Sequence, residues 1–320
     1  MILTTDSGVA EIGRQTDGNR RAHKRTALLR RLGLLGHDTK GAVIRRATSL
    51  SELLAAYKVT HDIFVEQGYI EPDPTGIRVR PYEALPETAT FIAVAGESVV
   101  GVTTLVVDSP LGVPCDCAFR TEIDQLRAQG RKVCEGTNWL VTKEFQRSSV
   151  LGELVRAVTA QALAKGCTDG LGCVSPKHAG FYEAIGYRII GAERSYSDTH
   201  FDPVVLVRLD LTALDDSYGG EEHDFLMSYW IEDNPYTFPA WPSGVPVIEE
   251  WAERAEAAFL APQLLRELFV ERGRLLSRCS PEELEKIRRC WGNGLFEAVL
   301  AGAPSKSTSN PSGIAVEVHG

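Results

Sequence analysis

The sequence predicts an α/β protein, a mixed sheet of the α+β type with helices on its faces and a helical appendage at its C-terminal side. Three observations carry this. Two runs rich in Val, Ile and Thr, TFIAVA from Thr90 and VVGVTTLVVD from Val99, flank Gly96-Glu97-Ser98 and read as an antiparallel hairpin. Beyond Lys132, strand patterns alternate with helical ones, which implies parallel pairing through crossover helices. From Asp215 the alternation gives way to helical apolar spacing.

Composition narrows the class. The chain has 320 residues, 43% of them hydrophobic and 24% charged, which is ordinary for a folded water-soluble protein. No apolar run reaches the roughly 18 residues of a membrane span, and the opening MILTTDSGVAEIGRQTDG lacks the basic start and apolar stretch of a secretory signal. The expected location is therefore the cytoplasm, without stable membrane insertion. A net charge of −9 argues against nucleic acid as the main partner. The seven cysteines, at 115, 117, 134, 167, 173, 279 and 290, fit reduced thiols better than a disulfide framework, and no metal site is expected from them.

Taken in order, residues 1–41 contain no strand alternation and exit through Gly33, Gly36 and Gly41, so they are expected to be a basic, mobile extension with one short helix. Its arm RRAHKRTALLRRLGLL, from Arg20, suits an acidic partner, an anionic membrane or plain solvent. The main fold is expected over 42–214. AVIRRA from Ala42 reads as a first strand; Ser49 or Ser51 caps a helix with Leu50, Leu53, Leu54, Tyr57, Ile63 and Phe64 on its apolar positions, ended by Gly68. The loop YIEPDPTGIRVRPYEALPET carries an exposed-looking pair, Arg78 and Arg80, and loops of this length are usually functional. After the hairpin come the turn DSPLGVP from Asp108, a helix from Phe119 to Gly130, and a fourth strand, KVCEGTNWLV, from Lys132. A helix over Ser149–Lys165, the strand LGCV from Leu171, a short helix over His178–Ile185 and two last strands complete this part. Residues 215–303 form the acidic helical appendage, with helical segments at Val247–Phe259, Gln263–Leu276 and Pro281–Val299. Ser280-Pro281-Glu282-Glu283 is a strong helix start. The appendage has more large aromatics than three short helices bury among themselves, so it is expected to pack on the preceding domain or on a second copy of the chain as a homo-oligomer. Residues 304–320 have the composition of a disordered tail.

The segment SPKHAGFYEAIGYRIIG, from Ser175, resembles the C-terminal motif of the GCN5-related N-acetyltransferase superfamily, and the element order is also that superfamily's. The resemblance implies an acyltransferase in which Tyr182 protonates a departing thiolate; the plainer alternative makes Phe181 and Tyr182 core residues. In that superfamily a glycine-rich stretch at a helix start binds the pyrophosphate of coenzyme A. Here QRSSVLGELVR from Gln146 retains Arg147 but fills both glycine positions, which favours a donor without adenosine diphosphate, such as an acyl-carrier protein.

Further blocks, HDIFVEQGYIEPDP, ALPETATFIAV, GVTTLVVDSPLGVPCD and EIDQLRAQGRKVCEGTNWLV, are similar to the N-acyl amino acid synthases of the FeeM type, relatives of the acyl-homoserine-lactone synthases, over about residues 43–211. This resemblance implies that Glu135, an acid on the fourth strand facing the transfer site, is the general base for an amine; the alternative is an ion pair on the sheet face. Thr60 and Asn138 stand where the lactone synthases have arginines, which disfavours that activity. Substrate contacts are expected from His178, Asn138, Trp139, Phe181, Arg78, Arg80 and Arg147, with the arginines facing an acceptor carboxylate or a carrier phosphate. The backbone N–H groups of Gly136–Trp139 would polarise the carbonyl. The expectation is thus transfer of a fatty acyl group from an acyl-carrier-protein thioester to the amine of an amino acid, with no permanently bound cofactor. An acetyl-coenzyme A-dependent acetyltransferase and a noncatalytic module that keeps the fold are the alternatives.

Overall fold

A computed structural model describes residues 25, 27–30, 33–34, 36–196, 203–214, 230, 236 and 261–301. The catalytic elements follow one another as β1 (Val43–Arg46), α1 (Leu50–Glu66), β2 (Ala89–Ala95), β3 (Ser98–Val107), α2 (Asp116–Ala128), β4 (Val133–Val141), α3 (Val150–Ala164), β5 (Asp169–Val174), α4 (Pro176–Ala184), β6 (Arg188–Arg194) and β7 (Val204–Asp210). They build a seven-stranded sheet in the order β1-β2-β3-β4-β5-β7-β6. Every neighbouring pair is antiparallel except β4 and β5, which the crossover helix α3 joins in parallel.

The alternation of side chains along each strand assigns the two faces. Phe91, Leu105, Val107 and Cys134 turn to the face covered by α3. On the opposite face Ile92 and Val102 meet α1, while Val106 and Val133 meet Phe119, Ile123 and Leu126 of α2. Local signals set the helix ends. Ser49, rather than Ser51, caps α1 in a reciprocal box with Glu52. α2 begins at Asp116, ahead of the expected Phe119, and Phe119 itself sits at a kink with φ −129°.

Both ends of the chain add to this core. The described part of the segment expected to be mobile is packed: Leu29 and Leu34 are fully buried against α3, and the Leu34 N–H donates to the Leu29 carbonyl at 2.9 Å. Apolar side chains set among charged ones, as in this arm, are free to bury when a complementary groove exists, and the sequence does not reveal the groove.

In the appendage, α5 (Pro262–Arg266) runs into a π-helical turn (Glu267–Arg272), followed by α6 (Pro281–Trp291) and α7 (Asn293–Ala301). The single segment expected over Pro281–Val299 is two helices, because Gly292 takes φ +78° and breaks the repeat. Ser280 and Glu283 form the expected capping box. Leu265, Phe269, Ile287, Trp291 and Val299 share one core with α1 and the 77–85 loop. There the Trp291 Nε1–H donates to the Ala84 carbonyl at 2.7 Å and Arg278 is ion-paired with Asp73. Earlier in the appendage, Trp230 is fully buried and its Nε1–H donates to the Ile185 carbonyl at 3.1 Å. The helix expected over Val247–Phe259 and the tail 304–320 lie outside the described residues.

Trp291 joins the appendage to the catalytic part through both its ring and its N–H. Trp291→Ala is expected to destabilise the protein by roughly 3–5 kcal/mol, the range for truncating a buried aromatic, read as a lower denaturant midpoint.

Candidate active site

The site begins where the parallel pair ends. β4 and β5 are matched as Val133–Asp169, Cys134–Gly170 and Glu135–Leu171, after which the two strands separate. Past Glu135, therefore, β4 has lost its β5 partner. On its other edge a bulge sets Asn138 and Trp139 against the single residue Thr103. Asn138 is left-handed, at φ +56°, a conformation that asparagine tolerates better than most residues. The bulge brings the Trp139 ring into stacking contact with Tyr182 of α4, centroids 5.2 Å apart and planes 26° apart.

Two cavities lie beside this aromatic pair, and both are lined by Phe64, Tyr69, Trp139, His178 and Tyr182. The smaller, of about 200 Å³, adds Arg78, Arg80, Glu135 and Asn138. The larger, of about 550 Å³, runs past Ile63, Leu140, Val141, Phe145 and Leu151 to Arg147 at the start of α3. Glu135 is buried, and its Oε2 accepts the backbone N–H of Cys115 at 2.7 Å. Burial, together with the Cys115 thiol and the Glu135 carboxylate, raises the phenol of Tyr182 above its ordinary range and keeps it protonated. Burial, with the charge of Lys177, lowers the His178 pKa and favours its neutral form.

The predicted residues are thus divided between the cavities. Glu135, Asn138, Arg78 and Arg80 face the smaller one, Arg147 and Phe181 the larger, and Trp139, His178 and Tyr182 both. The picture of Arg78 and Arg80 as an exposed pair requires correction. Arg80 is buried, and its Nη2 donates to Glu83 Oε1 at 2.7 Å; the Arg78 guanidinium lies 5.1 Å over the Phe64 ring. A buried carboxylate three residues downstream fixes Arg80, which loop composition does not reveal. Arg156 of α3 is also buried, against Glu153.

Cys115 was missed as a site residue: its N–H orients Glu135, and burial followed by contact with Cys173 drives its thiol pKa well up. Phe64 and Tyr69, packed edge to face at 5.7 Å, were missed as well. Tyr69 was signalled only by the length of its loop, and Phe64 only as an apolar position of α1. Asn138 Oδ1 and Trp139 Nε1 are buried without hydrogen-bond partners, an arrangement costly enough to mark a place where a bound group belongs. Among the described residues no cluster of His, Cys, Asp or Glu suits a metal ion, and no helix is long and apolar enough to cross a membrane.

An antiparallel sheet joined to a shorter one by a single parallel pair that splays open, with a tyrosine-bearing helix at the gap, is the fold that the resemblance of the sequence to the GCN5-related acyltransferases implies. Residues 55–210 match the family described as N-acyl amino acid synthase FeeM, and the protein is an N-acyltransferase. Among solved structures, FeeM from uncultured soil microbes is 23% identical with a TM-score of 0.47, the match covering 53% of this chain and 91% of that one. The coenzyme A-dependent acyl-homoserine lactone synthase BjaI is 16% identical with a TM-score of 0.42, covering 68% and 100%. A GNAT-family acetyltransferase from Streptococcus pneumoniae is 15% identical with a TM-score of 0.37, covering 52% and 97%. No curated protein matches the chain by sequence.

The raised phenol gives a sign. A folded-state pKa above the unfolded one contributes stability that is whole below the unfolded value, about pH 10, and declines as pH climbs beyond it. Tyr182→Phe is expected to flatten that alkaline decline in pH-dependent unfolding, and to remove nothing from the phenolate absorbance that develops around pH 10.

Proposed function

We propose that this N-acyltransferase moves a fatty acyl group from an acyl-carrier-protein thioester to the amine of an amino acid. The observation that carries the reading is the meeting of two unlike cavities at Trp139 and Tyr182. One is long and walled by aliphatic and aromatic side chains, suited to an acyl chain; the other is small, with arginines and a buried carboxylate, suited to an amino acid.

In the proposed reaction the acceptor lies with its carboxylate toward Arg78 and Arg80 and its ammonium toward Glu135 and the unsatisfied Oδ1 of Asn138. Glu135, directly or through water, takes a proton from the ammonium. The freed amine attacks the thioester carbonyl, whose developing negative charge meets the backbone N–H groups of Gly136–Trp139 on the open edge of β4. Collapse breaks the C–S bond, and the Tyr182 phenol gives its proton to the thiolate. The amide nitrogen then releases its excess proton to the resulting phenolate, which restores Tyr182, and Glu135 gives the proton it took to water. His178, held neutral, donates or accepts a hydrogen bond at the junction of the cavities without bringing a charge to the apolar side. All the described cysteines are free thiols, which supports a reducing compartment, the cytoplasm, as the place of reaction.

The decisive experiment is mass spectrometry of lipid extracts from bacteria expressing the chain. New N-acyl amino acids are the expected result, and a lipid profile unchanged from vector alone would defeat the reading. In the purified enzyme, Glu135→Gln is expected to keep the fold and to lower turnover by roughly 10²–10⁴; unchanged turnover at neutral pH would remove Glu135 from the reaction.

A further inference from the structure

The larger cavity ends at the first turn of α3, with Gln146, Arg147, Ser148 and Leu151 on its wall. The start of a 15-residue helix presents unpaired N–H groups and the positive end of the helix dipole, a natural seat for a pyrophosphate. In this protein the chain's own N-terminal arm lies on that seat. The Ser149 N–H donates to the Asp38 carbonyl at 2.8 Å, and the Val150 N–H to Ser148 Oγ at 3.3 Å. Arg156 Nη2 donates to the Leu34 carbonyl at 3.2 Å, and His37 Nδ1 lies 2.8 Å from Glu153 Oε1.

The arm is seated too closely for an ion to lie beneath it. A Cβ on Gly33 would fall 2.3 Å from the Ser148 carbonyl oxygen, and one on Gly152 would fall 3.3 Å from the Cα of Leu34. Glu153 adds a buried acidic side chain to the same turn, where a second anion is disfavoured. Arg147, by contrast, remains exposed at the rim.

We infer that residues 33, 34 and 36–38 are a donor-selectivity element: they close the pyrophosphate seat of α3, so that the cleft takes pantetheine thioesters whose phosphate carries no nucleotide. This rests on the reading that the larger cavity receives the acyl donor. The nucleotide half of coenzyme A then gains nothing from the protein, and a single phosphate outside the cleft has Arg147 to meet.

The test is calorimetric titration of the full chain with 4′-phosphopantetheine and with coenzyme A, with no acyl transfer involved. The two should bind the wild-type protein within about threefold of each other. In the double variant Gly33→Ala, Leu34→Asp, hydrogen exchange should show loss of protection at the Ser149 amide. Coenzyme A should then bind about tenfold more tightly than phosphopantetheine, with an advantage that falls as salt is added. A tenfold preference for coenzyme A in the wild-type protein would overturn the inference, and this arm needs no variant to fold. So would a variant whose Ser149 amide is exposed without any gain for coenzyme A, or one in which that amide stays protected. If neither compound binds either protein, the larger cavity is not the donor cleft, and the reading beneath the inference fails with it.

Discussion

The parallel contact between β4 and β5 is short, and the site depends on its ending where it does. A sheet continuous through this point would consume the N–H groups of β4 in ladder bonds and leave no gap between the strands. Pairing stops at Glu135 and Leu171, and the bulge at Asn138 then turns β4 so that Trp139 projects toward α4. The cost is local: one non-glycine residue in the left-handed region and two buried polar atoms without partners. Strain and unmet polar groups persist in a fold only where the surroundings enforce them. Here the enforcing parts are the long β3–β4 ladder on one side and the aromatic cluster of Tyr182, Tyr187 and Phe181 on the other.

The charges around the gap are arranged for acyl transfer to an amine. Glu135 is removed from water, and its Oε2 holds one oriented backbone donor. Tyr182 remains protonated because its surroundings are apolar and the nearest ionisable groups are acids or thiols. The protonated phenol of Tyr182 and the carboxyl group of Glu135 thus line one cavity. The same separation shapes the substrates: the arginines lie on the Glu135 side, and the aliphatic wall lies on the other.

The two ends of the chain are not ornaments on this domain. The N-terminal arm lies against the helix that borders the donor side, with Leu34 buried at Gly152. The C-terminal helices lie against the loop that carries Arg78 and Arg80, through Trp291 and through the pairing of Arg278 with Asp73. Each end therefore buttresses the wall of one cavity. In the proposed reaction this lets one catalytic core be tuned for donor and acceptor by parts of the chain that never touch the reacting atoms.

The sequence by itself determined the order and type of the strands and helices from β1 to β7. It did so because those signals are local: alternation in β2 and β3, the cap at Ser49, glycine after α1, α2 and α3. It also marked Tyr182 and Glu135, through the pattern of residues around them. Only the tertiary structure decided which residues share a cavity. That Cys115 orients Glu135 from 20 positions away, that Arg80 is held by Glu83 and not by solvent, and that the arm covers α3 are all outcomes of packing between segments distant in the chain or turned inward by their neighbours. The break at Gly292 had a local signal in the glycine itself, but its left-handed backbone was needed to turn one apolar repeat into two helices. Local propensity fixes what each segment can be. Where a side chain ends, in water or in a site, depends on surfaces that exist only once the chain has folded.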